Sequence, residues 1–199
     1  MILSDSHRFI FVAVPKVGSS STEEVLAPYK APLSDAFNRH ATCLKLQRDL
    51  PPSVWEGYFK FAFVRDPYDR MLSWYFYRQR EPLGAPDHPR HHLYTGDKSF
   101  AQFIHGFSSN ELMFKQVDFI APHQGGLLVD FVGRFENLQA DFSRICQRLS
   151  LPEITLPKVR ASGRSSAREV NLWTPELRRI VNDYFREDFE LLDYPMISE

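Results

Sequence analysis

The chain is short of several things, and each shortage narrows what it can be. It has only 2 cysteines, Cys43 and Cys146, far apart and outside any Cys-x-x-Cys or Cys/His spacing. Neither a disulfide framework nor a structural zinc site is indicated, and a reducing compartment fits. It has no run of the roughly 18 apolar residues that a membrane-spanning helix needs, and its opening apolar stretch ends at Pro15 and Lys16, so the reading is of no anchor and no signal peptide. Nor is there an excess of either charge: 24 Lys plus Arg face 25 Asp plus Glu, a formal net charge of -1. That argues against a surface given over to nucleic acid or anionic membrane, and any anion site has to be focused. Internal repeats and low-complexity tracts are missing, and 9 Gly and 14 Pro are ordinary loop quantities, which excludes collagen-like and disordered classes.

What is present is core material. Of 199 residues 43% are hydrophobic, with 17 Phe, enough for one globular domain spanning 1–199. Phe9 to Val14 is continuously apolar and predicts a strand buried on both faces. PKVGSSS follows, and then TEEVLAPY, where hydroxyl residues ahead of Glu23 and Glu24 predict a helix start. ATCLKLQRDL reads as a short helix stopped by Pro51 and Pro52. Tyr58 to Val64 (YFKFAFV) predicts a second buried strand, running into a helix with Asp66 as cap, Pro67 at its first position and Asp69 in its first turn.

Residues Glu81 to Lys98 lack periodicity and carry three prolines and three histidines, so an exposed loop or lid is expected there, bordering an acceptor site. A helix over Ser99 to Phe107, a third strand over Leu127 to Val132 and a helix over Asn137 to Leu149 follow. Leu151 to Ala167 reads as loop. Thr174 and Pro175 then open a helix whose Leu177, Ile180, Val181, Tyr184 and Phe185 share one face. This alternation predicts an α/β domain with a parallel sheet flanked by helices.

Two strand-to-helix junctions carry the chemistry. At the first, unpaired N–H groups at a helix start attract phosphate or sulfate; Gly18 allows close approach, Ser19, Ser20 and Ser21 add hydroxyls, and Lys16 adds a point charge. The alternative is an ordinary βα turn with a Ser cap. GxxxxGK[ST] is absent, and Lys16 precedes Gly18, which counts against an ATPase or GTPase. At the second junction Arg65 ends the strand and Ser73 lies about two helical turns on, sharing a face with Asp69 and Arg70, so that Arg65, Arg70 and Ser73 can all present donors. Surface pairing of arginine with Asp66 or Asp69 is the competing reading.

Together VAVPKVGSSS and FKFAFVRDPYDRMLSWY resemble the two cofactor motifs of sulfotransferases that use 3'-phosphoadenosine 5'-phosphosulfate (PAPS), and DFVGRFENL and DYFREDFELLDY resemble later segments of the carbohydrate-type, family 2-like branch. The resemblance implies a P-loop-like three-layer fold. It also implies that Lys16, Gly18, Ser19, Ser20 and Ser21 hold the 5'-phosphosulfate and that Arg65 and Ser73 hold the 3'-phosphate. Arg164, in VRASGRSS with Arg160, Ser162 and Gly163, stands where some relatives close that second site, although an ordinary solvated loop reads equally well there. Thr22, Glu23 and Glu24 occupy the region where the cytosolic small-molecule branch has an adenine-stacking Trp, and Trp74 and Tyr75 are weighed for that role against core packing.

The implied reaction moves a sulfuryl group from PAPS to a hydroxyl of a saccharide or glycoconjugate by in-line displacement, with Lys16 offsetting charge on the leaving phosphate and no metal called for. Histidine is the usual base. His40, in FNRHATCLKLQ, stands where carbohydrate-type relatives often carry one, with a helix-capping or surface role as the alternative; His123 is the second choice, and His88, His91 and His92 fall in the expected lid. Glu136 reads as an ion-pair partner of Arg134 ahead of a substrate contact. A kinase-like phosphotransferase and a catalytically silent nucleotide-binding module are the competing functions. No nucleic acid and no membrane span are expected, and the cytoplasm is the expected location.

Overall fold

In the computed structural model, residues 1–110, 114–121, 125–157 and 172–197 are described. Its strands are Ile2–Ser4 (β1), Phe9–Val12 (β2), Phe59–Val64 (β3) and Phe131–Arg134 (β4). Its helices are Ser19–Leu26 (α1), Cys43–Asp49 (α2), Pro52–Gly57 (α3), Pro67–Arg78 (α4), Glu81–Gly84 (α5), Phe100–Asn110 (α6), Val117–Ile120 (α7), Leu138–Arg148 (α8), Pro175–Tyr184 (α9) and Arg186–Leu191 (α10). They fall into two compact units, Met1–Arg65 with Lys115–Val159, and Asp66–Phe114 with Arg160–Glu199.

The first unit holds the sheet, in the order β1-β2-β3-β4. β2, β3 and β4 run parallel, with Phe9 opposite Phe59 and Phe61 opposite Phe131. β1 pairs antiparallel on the outer side of β2, Leu3 opposite Ile10, so the sheet is mixed where a wholly parallel one was expected. The three residues of β1 are too few to show a period in the sequence. Phe9, Phe11, Phe61 and Phe63 are wholly buried and stack across β2 and β3, the Phe11 and Phe61 rings 5.2 Å apart. At about 1.5–3 kcal/mol for each buried aromatic, these four alone account for much of the drive to form the sheet.

β4 starts later than the predicted Leu127 to Val132. Leu128 N–H bonds to Ile120 O, and the Asp130 carboxylate accepts Lys60 N–H, so the apolar Leu127–Val129 stretch is used in a turn and pairing begins at Phe131. Gly133 then faces Phe63, whose ring carbons lie 2.4 and 2.5 Å from where a Cβ would stand. In α2, Thr42 accepts the Lys45 N–H as the cap. The prolines that end this stretch also open α3, because Pro52 sits at a first helical position where no N–H is needed.

The second unit is helical. α4 begins as predicted, with Asp66 accepting the Asp69 N–H and Pro67 first. Its Tyr75 packs on Phe100 and Phe103 of α6 at 5.2 and 5.6 Å, which assigns that ring to the core. Leu177, Val181 and Phe185 of the predicted C-terminal face are buried, and Phe107 meets Phe185 at 5.9 Å. Residues 81–98 are more ordered than a structureless loop: they contain α5 and a 3-10 turn at His91–Leu93, with Leu83 and Thr95 buried.

Candidate functional site

The site lies in the first unit, where β2 and β3 end. Past β2 the chain turns sharply: Lys16 adopts φ 72°, and Gly18 caps α1 at φ 85°. Left-handed backbone costs a non-glycine residue about 1–2 kcal/mol, so Lys16 is held there by its surroundings, as residues at ligand clamps often are. Gly18 is needed twice over, since a Cβ would lie 2.8 Å from Leu138 Cδ2 and 3.4 Å from the Phe135 ring. Ser21 and Thr22 N–H return to Gly18 O, while the N–H groups of the first residues, Ser19 and Ser20, have no intrahelical acceptor.

The three serines are not equivalent. Buried Ser19 donates its hydroxyl to Val14 O, tying the helix start to the strand end, so its side chain shapes the loop instead of reaching out from it. Ser20 Oγ accepts from Arg39 Nη2 at 2.8 Å, which leaves its own O–H to donate. Ser21 is buried.

Arg65 joins the two junctions. It is 6% exposed, its Nη1 donates to Lys16 O at 3.3 Å, and its guanidinium lies over the Phe135 ring at 3.9 Å. Its backbone is gripped by the fully buried Gln116, whose Oε1 accepts Arg65 N–H at 2.8 Å and whose Nε2 donates to Arg65 O at 2.8 Å. Two sequence-distant motifs therefore meet at a guanidinium with little freedom to move.

His40 stands at the same strand end. Its Nδ1 is 2.6 Å from Ala13 O, its N–H bonds Asn38 Oδ1 at 2.7 Å, and its ring meets Phe119 edge-on. A carbonyl only accepts, so Nδ1 carries the hydrogen and Nε2 keeps the lone pair. Burial pushes the His40 pKa below its ordinary 6.5, helped by the nearby Arg39 charge and opposed by the Ala13 bond. The ring is thus mainly neutral at neutral pH, with one basic nitrogen uncommitted to Ala13.

Ser73 is on α4 in the second unit, buried at 6% exposure. Arg70 is not the anion donor the helix spacing predicted: at 2% exposure its Nη2 donates to Phe114 O at 2.9 Å, and its Nη1 is 3.9 Å from Asp188, making it a strut between helices. Arg164, Arg160, Ser162, Gly163 and His123 lie outside the described residues. Gln116 and Arg39 escaped the sequence reading because a lone Gln and an Arg ahead of a His carry no pattern. Among the described residues no group of three His, Cys, Asp or Glu side chains is placed to hold a metal, and no helix is long and apolar enough to cross a membrane.

The Sulfotransferase family profile matches residues 1–195. Among curated proteins, the chain is similar to carbohydrate sulfotransferase 14 of Mus musculus, at 27% identity over 98% of the chain and 60% of the relative. It is 28% identical to carbohydrate sulfotransferase 14 of Homo sapiens over 83% of the chain and 50% of the relative, and 22% identical to human carbohydrate sulfotransferase 9 over 96% and 52%. The chain thus spans about half to three-fifths of the length of these relatives. No solved structure matches it.

Proposed function

Because the chain belongs to the sulfotransferase family over residues 1–195, we propose that it is a PAPS-dependent sulfotransferase, moving the sulfuryl group of the 5'-phosphosulfate to a saccharide hydroxyl through a P-loop-like cradle. The observation that carries this reading is the convergence, where β2 and β3 end, of a Lys-Gly-Ser loop, a fixed guanidinium and an imidazole anchored through its Nδ1.

Each group has a task in that reaction. His40 Nε2 takes the proton of the acceptor hydroxyl as the new oxygen–sulfur bond forms. The bond between sulfur and the bridging oxygen breaks, and Lys16 offsets the charge that collects there. Gly18 and the N–H groups of Ser19 and Ser20 cradle the departing 5'-phosphate, with the Ser20 hydroxyl as a further donor. Arg65 takes the 3'-phosphate, and the family resemblance gives Ser73 and Arg164 to the same phosphate. The scheme calls for no metal. A saccharide acceptor is favoured by the carbohydrate sulfotransferase names of the relatives. The reading extends to a reducing, cytoplasmic setting, in which the buried Cys43 and Cys146 stay thiols.

The test is direct. The desulfated cofactor, which has both phosphates, raises the melting temperature, by about 2.7 kcal/mol of stabilisation at one hundred times its Kd. Adenosine 5'-phosphate, lacking the 3'-phosphate, does much less, and equal effects of the two would remove Arg65 and Ser73 from the site. Labelled sulfate from PAPS appears on one of a panel of glycans; no transfer to any of them refutes the enzyme reading.

A further inference from the structure

Arg39, which no motif pointed to, bridges α1 and the segment that carries His40 through its side chain. Its Nε donates to Glu23 Oε2 at 2.6 Å and its Nη2 to Ser20 Oγ at 2.8 Å, so the guanidinium spans the first turn of α1. The next residue is His40, whose ring is anchored on Ala13 O at 2.6 Å and whose N–H is held by Asn38 at 2.7 Å. The dipeptide Arg39–His40 therefore grips the loop Val14–Ser19 from both sides, at Ala13 before it and at Ser20 after it.

Resting on the sulfotransferase reading, we propose that Arg39 is a positioning residue that makes the cofactor loop and the His40 base one unit, so that the place of Ser20 determines the place of the imidazole.

The chemistry favours arginine for this work. A planar fork holds a carboxylate and a hydroxyl from separate nitrogens and fixes the geometry between them, whereas a lysine ammonium offers one nitrogen whose donors rotate. The guanidinium is 44% exposed and Glu23 16%, so the pair contributes little to stability and its loss leaves the fold intact. The charges that act on His40 are Arg39 and the Met1 amino group, which disfavour its protonation, and Glu23, which favours it.

Two measurements on the full chain test the proposal. In kinetics, Arg39→Lys lowers kcat about tenfold with KM for PAPS and melting temperature near wild type, because a small displacement of a base is costly while cofactor contacts persist. In a His40→Ala background the same substitution has little further effect, since residues acting through one another are not additive. A normal kcat in Arg39→Lys, the full tenfold loss in the His40→Ala background, or a loss confined to KM for PAPS would each overturn it. The second measurement needs no turnover. Ser20→Ala shifts the His40 ring proton signal and its titration midpoint when Arg39 is present and leaves both unmoved in Arg39→Lys. Equal shifts in the two backgrounds refute the coupling whether or not the protein transfers sulfate, whereas wild type that shows the coupling and no transfer from PAPS refutes the function alone.

Discussion

Replacing Gly18 by Ala tests how the first junction is built, and its cost can be worked from geometry. Two terms add. At φ 85° an alanine sits in left-handed backbone, about 1–2 kcal/mol. Its Cβ then stands 2.8 Å from Leu138 Cδ2, inside any real contact distance, and overpacking of this kind costs about 1–3 kcal/mol. Leu138 is only half buried and its side-chain tip can retreat, which favours the low end of the second term. The Phe135 ring at 3.4 Å has less freedom, since it lies under the Arg65 guanidinium. A total of about 2–4 kcal/mol follows, a large share of the 5–15 kcal/mol typical of a folded domain. Urea unfolding read by circular dichroism measures it, and the companion variant Leu138→Ala separates the terms. If crowding contributes, the double substitution costs about 1 kcal/mol less than the two singles added together; the backbone term remains. A loss under about 0.5 kcal/mol for Gly18→Ala, or strict additivity of the pair, would refute the reasoning at the first or the second term.

Three other predictions follow from the half-buried His40 and the buried Arg70. The rate profile of kcat/KM loses activity on its acid side through a pKa below 6.5, because burial lowers the His40 value and the base must be neutral to accept a proton. The same shift acts on stability: unfolded His40 binds a proton more readily, so stability present above about 6.5 is lost as pH falls through the folded value. His40→Gln flattens that acid loss in melting experiments, and an unchanged slope rejects it. In the second unit Asp188→Asn removes the carboxylate 3.9 Å from the 2% exposed Arg70 and costs about 3–5 kcal/mol in urea unfolding, while a loss below about 1 kcal/mol would show that this ion pair contributes little to the fold.

How much of this could be read from residues alone depends on how local each signal is. β2, β3 and α4 were legible because continuous apolar runs, the Asp66 cap and Pro67 all act within a few positions. The turn at Gly18 was legible as well, since a glycine between a buried strand and serines marks a strand-to-helix junction. β1 was not, because only the antiparallel contact of Leu3 with Ile10 makes those three residues a strand. Arg70 was misread for a related reason: helix spacing gives the face a residue is on, whereas its burial against Asp188 depends on a helix more than a hundred positions later. Gln116 illustrates the limit most plainly. Its amide is informative only once Arg65 is known to need both its N–H and its C=O satisfied at the end of a strand.

The meeting of the two motifs is itself a consequence of strand register. Along β2 and β3 partners are 50 positions apart, Phe9 with Phe59 and Val12 with Ala62. Parallel pairing sends both chains off the same edge, so the loop at Lys16 and the guanidinium of Arg65 emerge as neighbours without any direct sequence signal between them. β4 extends the same logic: Phe63 pairs with Gly133 and Val64 with Arg134, which delivers Phe135 next to Arg65. Gly133 sets that register, since only a residue without a Cβ fits against Phe63. A slip of one residue would turn Phe135 to the other face of the sheet and remove the ring from beneath the guanidinium. A near-neutral composition is therefore compatible with a few cations gathered at one strand end. The clustering does not depend on an excess of cations; it depends on parallel strands that end together and on two neighbours, the buried Gln116 and the half-buried Phe135, that hold Arg65 there.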